Sequence, residues 1–447
     1  MDNNPQTENK FYYFYLIGFF LILALPLFTI SPWFSPAAWG KTIIFRIIFS
    51  VLIFLFVYQI LYKKIANKFS AIKNLLPFWL LITLWGVFLL ATIFSLDPYY
   101  SFWESPLRAG GFLNFSFYIF FAVLAFLILR KQDWRKIWLF TIFIGVFVSI
   151  IAVFQQYNIF GKIIIPYAGR PPSTMGGPIF LGLYLVLLVF IALSFFLKEK
   201  EIKKKLFYFS ALSLFLYVIL LTGSRAAYFG LLVGFFYFIL AWQKSFFPLK
   251  KKNLLSVLKT LLALLLIISA YGVYYLNTHP KLPNYLQESK TFQGFSNRLS
   301  INLASEDPRS SAWIISLEAI KERPILGYGP ENFSIAFDKH YDPSLPYITK
   351  NWGSWYDKAH NFLFDIAVTA GIPALIIYLS LFAALFWGFQ KVKEKQTENS
   401  LICHGIQATF FGYLAANSFC FDVFSTYLIL FLIIGYSLSL IKNNEPC

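Results

Sequence analysis

A histidine stands where a long polar segment meets an apolar run. The sequence there reads Trp355-Tyr-Asp-Lys-Ala-His360-Asn-Phe, and the run that follows is long enough to cross a membrane. Because the N-terminal end of a helix disfavours a protonated imidazole, we expect His360 to stay neutral near pH 7 and to accept a proton. Asp357 lies three residues earlier, so a helical turn would place it on the same face, where it would orient the ring. The alternative for an isolated histidine here is an interfacial residue without chemistry.

Three predicted helix starts on one side of the membrane carry groups suited to an anion. One follows the glycine-bearing loop at Arg170, the second holds Ser224 and Arg225, and the third is the turn before His360. Unpaired N–H groups and a partial positive charge at a helix start bind phosphate, and arginine adds a planar fork of donors. We therefore predict that Arg170, Arg225, Arg309 and Ser224 bind a diphosphate. Each single arginine has the alternative of an interfacial anchor or an ion-pair partner.

Aromatic residues precede the histidine. Trp352, Trp355 and Tyr356 are expected to stack on sugar rings, with interfacial anchoring as the alternative. Asn361, next to the histidine, is assigned to the same contacts with a glycan or an acceptor. The chemistry predicted for this cluster is proton abstraction beside a bound diphosphate.

The composition defines the elements that must position these residues. The chain is 58% hydrophobic, 21% aromatic and only 13% charged, and its mean hydropathy of +0.64 is typical of a polytopic membrane protein. We predict an all-α bundle of about twelve membrane helices with one large external loop. The predicted spans lie near 11–30, 41–62, 75–95, 112–130, 136–157, 178–197, 206–222, 225–242, 254–276, 361–389, 400–418 and 422–441.

The formal charge of +17 is explained by the distribution of lysine and arginine between the connections of the predicted spans. Lysine and arginine cluster in alternate connections, near residues 63–73, 130–136, 198–205, 244–252 and 391–395. By the positive-inside rule these connections and both termini face the cytoplasm, which places the polar segment 277–360 outside. That segment has nine basic and nine acidic residues, so no nucleic-acid role is expected.

The long external segment divides the chain. We predict a bundle of nine helices over 1–276, a periplasmic loop with short helices over 277–360, and three membrane helices with a cytoplasmic tail over 361–447. Within the loop, a helix is expected near 308–322, with Trp313, Leu317 and Ile320 as an apolar stripe against the membrane or the bundle. A glycine-proline turn over 325–330 and a second short helix follow. Asp365 is expected to face an arginine of another span.

Four segments resemble the O-antigen ligase and polymerase superfamily of bacterial envelope glycosyltransferases. They are Leu221-Thr-Gly-Ser-Arg-Ala-Ala-Tyr228, Arg309-Ser-Ser-Ala-Trp313, Pro324-Ile-Leu-Gly-Tyr-Gly-Pro-Glu-Asn-Phe333, and Lys358-Ala-His-Asn361 with Gly371-Ile-Pro373. Each segment alone is a weak signal for the family, but the occurrence of all of them in this order is fairly specific. The resemblance covers most of the chain, although the residues around Arg170 match only loosely.

The resemblance implies a multi-span glycosyltransferase that needs no metal or other cofactor. It would take a glycan from an undecaprenyl-diphosphate carrier and transfer it, with inversion, to a hydroxyl of a lipid A-core acceptor in lipopolysaccharide biosynthesis. His360 would be the base, and Arg225 and Arg309 would contact the diphosphate. A polysaccharide polymerase and a protein O-oligosaccharyltransferase are the alternatives within the family. A small-solute transporter is the competing class, but the ionisable groups gather at external helix ends and no internal repeat is visible.

Overall fold

The chain is described by a computed structural model. It describes residues 5–30, 35, 37–63, 72, 74–103, 108, 110–159, 169–242, 260, 264, 271, 309–344, 346–347, 355–395 and 398–443. The predicted span 254–276 and Trp352 lie outside the described residues, apart from three single helical positions in the span.

The described residues form α-helices joined by turns, which confirms the all-α membrane class. In chain order the helices are α1 (Pro5–Ala24), α2 (Trp39–Lys63), α3 (Leu76–Ile93), α4 (Pro98–Trp103), α5 (Gly111–Ile128), α6 (Asp133–Gln156), α7 (Pro178–Lys198), α8 (Ile202–Thr222), α9 (Arg225–Leu240), α10 (Arg309–Glu322), α11 (Phe333–Lys339), α12 (Phe362–Glu394), α13 (Ser400–Asn417) and α14 (Phe424–Lys442).

Eight of these helices are long and apolar enough to cross a membrane: α2, α3, α5, α6, α7, α8, α12 and α14. Phe11–Leu27 and α9 are shorter apolar helices. The protein is therefore an integral membrane helical bundle, and the count of twelve spans stays a prediction.

Small residues bring α9 and α13 into close contact. A Cβ atom added to Gly230 would lie 2.5 Å from the carbonyl oxygen of Gly412 and 2.8 Å from the Cβ of Ala416. No larger residue fits at this crossing, as expected where membrane helices pack through small side chains. Gly223 ends α8 with a left-handed φ of 55°, and α9 begins two residues later. This tight corner fixes the start of α9 beside α7.

Helix α12 is interrupted by its own sequence. Gly371 has φ 85° and ψ 169°, a conformation that only glycine adopts readily. Pro373 has no N–H group, so the carbonyl of Thr369, four residues earlier, loses its helical donor. The break leaves backbone groups that need partners from elsewhere.

The glycine-proline turn of the external segment supplies those partners. A Cβ on Gly371 would lie only 2.0 Å from the carbonyl oxygen of Ile325, so the two backbones are in direct contact. Three hydrogen bonds join them: Tyr328 N–H to Val368 O at 2.8 Å, Gly329 N–H to Thr369 O at 2.9 Å, and Ile372 N–H to Pro324 O at 2.8 Å. The two family motifs thus complete each other's backbone hydrogen bonding.

We call residues 309–361 the cap segment. The predicted helix at 308–322 is confirmed as α10. Trp313 and Ile320 of the predicted stripe pack, partly buried, against the protein, but Leu317 does not. Ala312, Ile315 and Ala319 are buried, whereas Leu317 is 50% exposed. The buried residues join Tyr328, Phe333 and Val368 in a second hydrophobic core, because small side chains let α10 approach α12 closely. This core holds the cap segment on the bundle.

Candidate active site

His360 lies in the turn that leads into α12, with an unusual backbone conformation. Its φ is 54°, in the left-handed region, which costs a residue with a side chain about 1 kcal/mol. Its Nδ1 atom lies 3.1 Å from the carbonyl oxygen of Lys358. A carbonyl only accepts, so Nδ1 carries the proton and Nε2 carries the lone pair. The ring packs between Tyr356 at 5.5 Å and Phe421 at 4.9 Å, measured between ring centroids.

The surroundings of the imidazole favour its neutral form. Burial lowers the pKa of His360 most, and the positive charges of Arg309 and Arg108 act in the same direction. The hydrogen bond to Lys358 and the charge of Asp357 oppose them without reversing the shift. The pKa therefore lies below the usual value near 6.5, so His360 is ready to accept a proton at pH 7.

Asp357 does not orient His360, contrary to the sequence-based prediction. Its carboxylate accepts two hydrogen bonds from Arg108, from Nε at 2.6 Å and from Nη2 at 2.9 Å. Residues 357–360 form bends, so the helical spacing on which the prediction depended is absent, and a guanidinium is a stronger partner for a carboxylate than a neutral imidazole. Although burial would raise the pKa of Asp357, the bonds and charge of Arg108 hold it below its usual value.

Arg108 is the site residue that sequence reasoning missed. Its guanidinium carbon lies 4.7 Å from the centre of the Phe421 ring, which also contacts His360. It precedes Gly110 and Gly111 at the start of α5, so a signal existed: another arginine beside glycines at a helix start. Nothing in the sequence indicated its pairing with a residue 249 positions away.

Side chains from several elements hold the turn before α12. Lys358 pairs with Glu331, and both side chains are largely buried. The indole N–H of Trp313 donates to the carbonyl of Ala359 at 3.0 Å. Asp365 accepts from the N–H of Ala359 at 2.7 Å, so the prediction that it faces an arginine was wrong. These contacts fix both sides of the His360 turn.

Three of the predicted anion-binding residues lie at the start of α9. Arg170 donates from Nη1 to the carbonyl of Gly223 at 3.1 Å, which brings it to the corner before α9. Ser224 caps α9, because its hydroxyl accepts from the N–H of Ala227 at 3.3 Å. Arg225 follows in the first turn and is exposed. The structure therefore places Arg170 beside the start of α9.

The helices that begin at Arg225 and Arg309 both pack on Phe419. Each arginine lies four residues, about one helical turn, before an aromatic residue: Phe229 in α9 and Trp313 in α10. Both rings pack on Phe419, at 5.8 Å and 6.2 Å. Phe419 lies two residues before the ring that contacts His360 and Arg108. The loop between α13 and α14 therefore contacts His360, Arg108 and the two helices whose first turns carry Arg225 and Arg309.

Residues 209–379 match the family model described as O-antigen ligase. The teichuronic acid biosynthesis protein TuaE of Bacillus subtilis is 27% identical over 236 residues, which cover 51% of this chain and 44% of that protein. A general O-oligosaccharyltransferase of Acinetobacter baylyi is 24% identical over 309 residues, or 68% of this chain and 50% of that protein. These similarities support a relation to the O-antigen ligase superfamily. The matched regions span about half the length of these curated relatives.

The family match covers only part of the site. It includes Ser224, Arg225, Arg309 and His360, whereas Arg108 and Arg170 precede it. The family model is described as O-antigen ligase, and the names of the two relatives refer to teichuronic acid biosynthesis and O-oligosaccharide transfer. Among the described residues, no group of three or more His, Cys, Asp and Glu residues is arranged to hold a metal ion.

The residues predicted to contact a glycan have separate positions in the structure. Trp355 is 59% exposed, and its indole donates to Asp338 at 2.8 Å. Tyr356 is half-buried against His360. Asn361 caps α12, because its side-chain oxygen accepts from the N–H of Leu363 at 2.9 Å. That oxygen is therefore engaged in the fold.

Proposed function

We propose that this protein transfers a glycan from an undecaprenyl-diphosphate carrier to an acceptor hydroxyl, with a lipid A-core hydroxyl as the first candidate. The reaction takes place on the outer side of a bacterial cytoplasmic membrane, with both termini in the cytoplasm. The observation that supports this most is the state of His360. Its Nδ1 proton is bound to a backbone carbonyl, which leaves Nε2 as a neutral acceptor close to the positive charges of Arg108 and Arg309.

The proposed reaction is a single displacement. Nε2 of His360 takes the proton of the acceptor hydroxyl while the hydroxyl oxygen attacks the anomeric carbon of the glycan. The bond between that carbon and the diphosphate oxygen breaks, and its electron pair leaves with the lipid diphosphate. Attack from the opposite side inverts the anomeric centre. No metal is required, because arginines balance the charge of the leaving group.

The arginines have distinct proposed roles. Arg225, with Arg170 beside it, and Arg309 bind the diphosphate, and each donor that strengthens its bond in the transition state contributes about 3 kcal/mol. Arg108 is committed to Asp357 by two hydrogen bonds. We assign this pair to positioning the His360 turn and to setting its electrostatic environment.

The names of the relatives support two other acceptors. One relative belongs to teichuronic acid biosynthesis and another is an O-oligosaccharyltransferase. A growing lipid-linked glycan, for a polymerase, and a hydroxyl side chain of a protein are therefore the alternatives. His360 and the arginines would perform the same chemistry with each acceptor.

The test is glycan transfer by the purified chain in nanodiscs. Undecaprenyl-diphosphate glycan is offered with a lipid A-core acceptor, with a second lipid-linked glycan, or with a protein acceptor. We expect one acceptor to be glycosylated, His360→Ala to lower the rate by about 100-fold to 10,000-fold, and Arg225→Ala by about 100-fold.

His340→Gln is the matched control, because His340 bonds Tyr328 and Glu322 at the far side of the cap segment. Its activity should remain. Full activity of folded His360→Ala would overturn the assignment of the base. Absence of transfer to all three acceptors, with solute flux in vesicles instead, would favour a transporter.

A further inference from the structure

A cavity with a basic rim lies at the end of the bundle opposite His360. It has a volume of about 910 Å³ and is lined by residues at the ends of α6, α7, α13 and α14. Helices α13 and α14 have 18 and 19 residues, so at about 1.5 Å per residue they span about 27 Å. The cavity is therefore at the other membrane surface, far from the proposed chemistry.

The rim of the cavity is strongly basic. Its basic lining residues are Arg130, Lys131, Arg135, Lys198 and Lys200, against two carboxylates, Glu199 and Glu398. Glu199 is fully engaged, because it accepts from Arg135 at 2.5 Å and from the N–H groups of Lys200 and Glu201 at 3.0 and 3.1 Å. The remaining rim charges are four positive groups and one negative group, so the cavity attracts anions.

The floor of the same cavity is apolar. Phe195, Ile402 and Leu440 line it together with the rings of Trp134 and Tyr436, which pack 4.8 Å apart. Trp134 is 1% exposed, and its buried indole N–H has no hydrogen-bond partner among the described residues. A buried donor without a partner is costly, and a ligand oxygen would satisfy it. The cavity therefore combines cationic donors with an apolar base.

We propose that this cavity binds the phosphate group of an anionic membrane phospholipid. Arginine and lysine donors on the rim would hold the phosphate oxygens. The apolar floor would contact the glycerol and the first acyl carbons. Basic pockets between membrane helices at the membrane surface are suited to such headgroups, whereas a free phosphate would leave the apolar floor unused.

The experiment measures ligand binding to the full-length, delipidated protein in a neutral detergent. Short-chain phosphatidylglycerol is compared with short-chain phosphatidylcholine and with inorganic phosphate by native mass spectrometry. We expect phosphatidylglycerol to bind most tightly. A basic residue near a membrane surface contributes about fivefold to such affinity, so Lys131→Gln with Lys198→Gln should weaken binding by about 30-fold.

Two further variants keep the test decisive. Lys203→Gln removes a positive charge in the same region but outside the cavity, and binding should remain as in the wild type. Glu398→Gln removes the remaining negative rim charge and should strengthen binding about fivefold. Unchanged phosphatidylglycerol binding in the double variant, or no gain in Glu398→Gln, would overturn the site. Equal binding of inorganic phosphate and phosphatidylglycerol would overturn the lipid as the ligand.

Discussion

Two substitutions in one ion pair should move the pH dependence of transfer in opposite directions. Arg108 and Asp357 form a doubly hydrogen-bonded pair beside His360, and their charges act on its pKa with opposite signs. Because the base works when deprotonated, kcat/KM should fall as pH drops through the pKa of His360, below 6.5. Arg108→Gln should move this acid limb to higher pH, because it removes a positive charge that lowers the pKa of His360. Asp357→Asn should move the limb to lower pH, because it removes a negative charge that raises that pKa.

The shared contact with Phe421 sets the size of the effect. The guanidinium carbon lies 4.7 Å and the imidazole centroid 4.9 Å from the centre of that ring, so they are at most about 9.6 Å apart. At that separation and an effective dielectric constant of about 20, Coulomb's law gives about 1.7 kcal/mol. Arg108 is 32% exposed, and solvent screening reduces this to about 1 kcal/mol. The acid limb should therefore move by about half to one pH unit.

The assay is the pH profile of kcat/KM for glycan transfer by wild type, both single variants and the double variant. The double variant should return towards the wild-type profile, since the pair is neutral as a unit. Lys321→Gln breaks an exposed ion pair with Glu318 and serves as the control with an unchanged profile. A shift of both single variants in the same direction would refute the electrostatic reasoning, and a limb unaffected by either would refute His360 as the titrating base.

Three other outcomes are expected. Gly371→Ala should lower the thermal midpoint and the activity, because an unfavourable φ and a 2.0 Å contact with Ile325 cost about 3 kcal/mol or more. Gly86→Ala is the control and should be tolerated, because a Cβ there would have no atom within 4 Å. Equal effects of the two substitutions would contradict this. Trp313→Phe should lose about 1 kcal/mol with its bond to Ala359, seen as a lower midpoint; an unchanged midpoint would show that the bond contributes little. Transfer should persist in EDTA, and loss with rescue by Mg²⁺ or Mn²⁺ would contradict metal-independent chemistry.

Local sequence signals predicted much of the fold. Apolar runs located the long helices, Pro178 and Ser224 marked the starts of α7 and α9, and the pattern near 308–322 predicted α10. The face of α10 was predicted only in part. Periodicity selected Trp313 and Ile320, which pack on the second core, and Leu317, which does not; the fold buries Ala312 and Ala319 more deeply. Helices can approach closely only where their side chains are small, and small side chains contribute little to a hydrophobicity pattern.

The candidate site was also predicted only where local sequence signals were sufficient. His360 could be identified because a helix start has local consequences for a titratable ring. Its partners could not, since they depend on contacts between distant segments: Asp357 pairs with Arg108 across 249 positions. Sequence spacing suggested a helical turn between Asp357 and His360, but the left-handed φ at His360 excludes that geometry. Asp357 was therefore wrongly predicted to orient His360 from its position in the sequence.

The break in α12 connects the family motifs to the position of the base. Without its helical donor, Thr369 accepts from Gly329, and two residues after Gly329 the chain reaches Glu331, which pairs with Lys358. Lys358 in turn supplies the carbonyl that fixes the tautomer of His360. The path from the helix break to the imidazole consists of backbone hydrogen bonds and one largely buried ion pair, all of them directional. These contacts connect the glycines and the proline of the two motifs to the position of the histidine.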